Sequence, residues 1–93
     1  MLYDKEIPKL LNIKWRYEGE GEFIIYQHPI TGMLDILNPV ASIIFANCDG
    51  VNSVEDICSK IQGEYVDVDR DTINGDVCSF INYLIKEEIL FLV

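Results

Sequence analysis

The apolar positions change period once along the chain, near residue 38. From Leu10, Ile13, Trp15 and Tyr17 alternate with Lys14, Arg16 and Glu18, the two-residue period of a half-buried strand. Glu18-Gly19-Glu20-Gly21-Glu22 then makes an acidic turn, and Phe23 to Gln27 predicts a second strand, apolar on both faces and so central. Pro29-Ile30-Thr31-Gly32 predicts another turn. Met33 to Leu37, apolar on both sides of Asp35, predicts a third strand. Three strands on short connections form an antiparallel meander over residues 10–37, with the first and third at its edges. Residues 1–9 set Tyr3 and Ile7 among charges and carry Pro8 as a breaker, so they read as an arm with room for one short strand.

Asn38 and Pro39 turn the chain from strand to helix. The Asn side chain accepts from free backbone N–H groups, and proline fits the first helical position. Val40, Ile43, Ile44 and Asn47 follow helical spacing, and Asp49-Gly50 supplies a left-handed stop. Ser53 with Asp56 resembles a capping box ahead of a second stripe, Val54, Ile57, Cys58 and Ile61, which Gly63 closes. After the connector Glu64 to Val68, Asp69 caps a third, longer helix to about Glu87, and residues 89–93 form an apolar tail that packs back. The three helices occupy 38–88. The fold class is α+β in a single domain, 1–93: a three-stranded antiparallel sheet followed by three helices, in winged helix-turn-helix outline.

In the third helix Ile73, Val77, Cys78, Phe80, Ile81, Leu84 and Ile85 span about 160° at roughly 100° per residue, wider than one seam needs. That arc fits a well-buried helix of a small domain, and equally one that packs on the core while bordering a groove. Gly75 costs about 1 kcal/mol against Ala inside a helix, so either the helix starts later or the backbone there is closely approached. Asp76 reads as a solvated first-turn acid or as a specific contact.

Ninety-three residues at 49% hydrophobic content make one folded domain, and the apolar runs are too short to cross a bilayer. The amino end lacks a signal-peptide pattern, so a cytoplasmic protein is expected. Cys48, Cys58 and Cys78 are odd in number and contain no C-x-x-C pair, and His28 is the sole histidine, so reduced, buried thiols and no metal site are expected. Sixteen acids against seven scattered bases give a net charge of −9, which repels nucleic acid. No phosphate loop or nucleophile–base arrangement can be assembled. Catalytic residues, metals and cofactors are therefore expected to be none, and function should lie in binding by the open strand edge and the third helix.

The order and spacing of several weak motifs resemble the PqqD-like family, the recognition elements that bind leaders of ribosomally made, modified peptides (RiPPs). The resemblance is carried by Pro29, Leu37-Asn38 with Ala41, Cys48-Asp49-Gly50, Val54 with Ile57, Tyr65, Asp76-Val77, Phe80 and Leu84. It covers the chain from about Pro8 to Leu90, and departs at Glu87-Glu88-Ile89, where the family usually has a glycine. It implies that a leader peptide adds as a strand along Met33, Leu34, Asp35, Ile36 and Leu37 and lies against Asp76, Val77, Phe80, Tyr83 and Leu84. Phe80→Ala or Leu84→Ala should then weaken binding in a folded protein. The chain starts at methionine and is domain-sized, so it reads as a discrete element delivering a precursor to a separate maturation enzyme, a radical SAM peptide-modifying enzyme or a lasso-type leader peptidase. A monomer or an edge-strand dimer is expected. The rival readings are a winged helix DNA-binding regulator, against which stand only Arg70 and Lys86 as cations on the third helix, and an adaptor that binds only a partner enzyme.

Overall fold

In the computed structural model, which describes residues 4–93, Asn38 accepts a hydrogen bond from the Ala41 N–H at 2.8 Å, and α1 (Pro39–Ala46) starts there with proline in its first turn. Tyr3 of the predicted arm lies outside the described residues. Upstream, β2 (Trp15–Glu18), β3 (Phe23–Gln27) and β4 (Leu34–Leu37) form the predicted antiparallel meander, in the order β2-β3-β4. Downstream, α2 (Val54–Glu64) opens on the predicted capping box, with Asp56 in the acidic position, and α3 (Arg70–Lys86) follows. Gly63 lies inside α2 rather than closing it, and Asp69 occupies the cap of α3 without a side-chain cap bond.

A second sheet joins the two ends. Pro8 begins a strand, β1 (Pro8–Leu10), which pairs antiparallel with β5 (Leu90–Leu92) in the register Pro8 with Leu92. Proline is tolerated as the first residue of a strand, so it marks the entry here rather than a break. The clasp is extended by backbone bonds from Leu10 N–H to the Cys48 carbonyl and from Val93 N–H to that of Ile7. Gly50 sits against it at φ +80°, where an added Cβ would meet Lys9 Cδ at 2.9 Å. Glycine is needed there for both conformation and space.

The inner face of the meander (Ile24, Tyr26 and Leu37) packs on Ile44 and Phe45 of α1, and the stripes of α2 and α3 complete the core with Ile89 and Leu90. Tyr26 stacks on Phe45 at 5.0 Å between centroids. Trp15 and Tyr17 share that inner face by register, yet they stay largely exposed, Tyr17 at 51%. The predicted half-buried strand is thus covered only at its margin, where Trp15 meets Phe45 edge-on at 5.8 Å. Gly75 is helical with nothing within 4 Å of an added Cβ, so neither a late start nor a close approach explains it.

Candidate functional site

β4 pairs with β3 alone, so one side of it is open. The His28 N–H donates to the Met33 carbonyl at 2.8 Å, which starts the ladder. By the alternation of antiparallel pairs, residues 35 and 37 bond toward β3, and the N–H and C=O groups of Leu34 and Ile36 face outward. At the far end the Ser42 hydroxyl bridges the pair, accepting from the Ile24 N–H at 2.9 Å and donating to the Leu37 carbonyl at 3.3 Å. This fastens the meander to α1. His28 secures the other end: its Nδ1 accepts from the N–H groups of Ile30 and Thr31, so Nε2 carries the proton facing Glu87 at 3.2 Å.

Beside the open edge, α1 and α3 enclose a cleft of about 570 Å³. Asn38, Pro39, Val40 and Ala41, the residues that follow β4, line one wall, and Asp76, Ser79, Phe80 and Tyr83 line the other. The Phe80 and Tyr83 rings lie nearly parallel, 14° apart, with centroids at 6.3 Å. Tyr26, buried in the core, has Asp35 of β4 and Tyr83 of α3 beside its phenol. Burial holds its phenol above the usual range, and the Asp35 carboxylate and Tyr83 hydroxyl beside it push it further. Its phenol thus stands where β3, β4 and α3 meet. A larger cavity of about 670 Å³ lies across α1, lined by Glu22, Lys60 and Glu64 among others, and no residue of α3 lines it.

The predicted site residues therefore divide. Asp76, Phe80 and Tyr83 line the cleft together, while Met33, Leu34 and Ile36 expose their side chains, Ile36 at 70%. Asp35 and Leu37 face inward. Val77 and Leu84 are fully buried in the core, so neither offers a side chain to the cleft, and Leu84→Ala would open a core cavity at about 2–5 kcal/mol rather than leave the fold intact. Sequence reasoning missed Pro39, Val40, Ile44 and Tyr65. The signal was available for the first two, because a helix that starts one residue beyond an edge strand keeps its first turn close to the end of that strand.

The three cysteine thiols shift in one direction. Burial pushes the Cys48 thiol up to about 12, with Asp49 adding to it. Burial likewise raises Cys58 against the pull of Arg70, and raises Cys78 with Asp4 contributing. All three are free thiols. Among the described residues no three His, Cys, Asp or Glu side chains gather to hold a metal ion, and no helix is long and apolar enough to cross a membrane.

The sequence profile described as coenzyme PQQ synthesis protein D (PqqD) matches residues 25–90, from the central strand to the first residue of β5. The chain belongs to the PqqD family. A solved structure, TbiB1 in complex with the TbiA(beta) leader peptide, superposes on this PqqD-family chain with a TM-score of 0.76. The two are 26% identical over 88% of this chain and 93% of the other. Among curated proteins no sequence match was found.

Proposed function

We propose that this PqqD-family chain is a non-catalytic recognition element that binds the leader of a ribosomally made precursor peptide by strand addition to β4. The observation that carries the reading is the open edge of Leu34 and Ile36 beside the aromatic wall of Phe80 and Tyr83. A paired strand would sit about 4.8 Å from β4. Main-chain bonds along β4 give affinity tolerant of sequence, and the cleft selects side chains. The complex formed by the structurally similar TbiB1 supports the assignment.

Holding the leader raises the effective concentration of the attached core peptide at a separate maturation enzyme, of the radical SAM peptide-modifying or lasso leader-peptidase kind. Labelled leaders from short open reading frames beside the gene, titrated by fluorescence polarisation at physiological salt, test this. Saturable binding at micromolar affinity or tighter is expected, weakened at least about fivefold by Phe80→Ala. If the folded protein binds no such peptide, the enzyme-adaptor reading takes its place. Salt-sensitive binding of duplex DNA would instead favour the regulator.

A further inference from the structure

The cleft does not end at Asp76. A smaller cavity of about 100 Å³ continues from it, sharing Val40, Tyr65 and Asp76 at the mouth and reaching in to Ile61 and Ile73, with Val68 on its outer rim. Its inner wall is aliphatic core, Ile61 at 2% and Ile73 at 3% exposure. Its outer wall is the connector between α2 and α3, which Gln62 pins by donating to the carbonyls of Tyr65 at 3.1 Å and Val68 at 2.8 Å. The Val68 N–H also donates to the Tyr65 carbonyl. The pocket is thus formed before anything enters it, so little ordering cost attends its filling.

Its position follows from α3. Tyr83 and Asp35, the latter within β4, both reach the Tyr26 phenol. Asp76, two turns and about 10 Å earlier in the helix, shares the cavity mouth with Val40, three residues past the end of β4. The cleft therefore runs on in the direction of the strand, and a peptide paired with β4, advancing about 3.3 Å per residue, reaches the mouth within a few residues of the paired segment. Apolar cavities of about 150 Å³ accommodate a benzene ring. This one is smaller, which suits a branched aliphatic side chain and excludes an aromatic one.

We infer that the leader carries, just outside the strand that pairs with β4, a valine, isoleucine or leucine that anchors between Val40, Ile61, Val68 and Ile73. This rests on the leader-binding reading and adds a second, separable contact to it. Asp76 at the mouth disfavours an acidic neighbour in the leader. Because the anchor lies off the edge strand, it fixes the register in which an otherwise tolerant strand pairs.

The test is an alanine scan of a neighbouring-gene leader that binds the native protein, read by fluorescence polarisation, and repeated on Val68→Phe, which fills the rim from a partly exposed position. One aliphatic position flanking the paired strand should cost roughly tenfold when changed to Ala, and the same change should cost nothing further on Val68→Phe. Methyl resonances of Ile61 and Ile73 should shift with the native leader and not with its Ala variant, a readout that needs no protein substitution. Additive effects, or still methyl signals with a bound leader, overturn the inference and leave the strand-addition reading standing. Absence of any binding by the native protein overturns both.

Discussion

At the scale of single residues, Glu88 stands out as the one non-glycine residue with positive φ among those described, at +61°. It ends α3 in a Schellman arrangement: Glu88 N–H donates to the Ile85 carbonyl and Ile89 N–H to that of Leu84, while Ile89 is fully buried. The position is the one where the family resemblance leads one to expect glycine, and the backbone takes the left-handed conformation without it. Glu88→Gly should therefore stabilise the protein by about 0.5–1 kcal/mol, read by chemical denaturation, and leave leader affinity unchanged. A loss of stability would mean that the Glu88 side chain contributes more than its conformation costs. Leu84, five residues before Ile89, shows the opposite sensitivity. Its truncation acts on the core, so any fall in affinity of Leu84→Ala has to be measured against the fraction still folded.

At the scale of elements, β4 serves both the sheet and the site, and its two edges are separable by mutation. Proline at Ile36 removes an N–H that faces the open side, and the residue before it is already extended, so no ladder bond to β3 is lost. Ile36→Pro should keep the melting temperature within a few degrees while lowering leader affinity at least about tenfold. Full affinity in that variant would place the peptide elsewhere. The cap of α1, the capping box of α2 and the meander were legible in the sequence because each is fixed by residues a few positions apart. The division of α3 was not. A broad apolar arc states that the helix meets two surroundings, but the boundary between buried Val77 and Leu84 on one side and cleft-lining Phe80 and Tyr83 on the other is set by α1, which lies across the helix. The exposure of Trp15 and Tyr17 has the same origin: alternation reports a face, and the reach of α1 decides how much of it is covered.

At the scale of the whole molecule, the terminal segments close the fold. β1 and β5 are each three residues long and some 80 positions apart, too short to show a period and too distant for any local rule to pair them. Their pairing holds Leu90 in the core and brings Cys48 and Gly50 of the α1–α2 connection under the same clasp through backbone bonds to Leu10 and Pro8. It lies away from β4, so stability and recognition should part company when it is weakened. Replacing Leu90 and Leu92 together by Ala should cost roughly 3 kcal/mol, mostly from Leu90, which in a domain of this size lowers the melting temperature by about 10–25 °C. At a temperature where the variant remains folded, its leader affinity should match the native protein. An unchanged melting temperature would make the terminal sheet an ornament of the fold, while reduced affinity in the folded variant would mean that the clasp sets the angle of α3 and, through it, the width of the cleft.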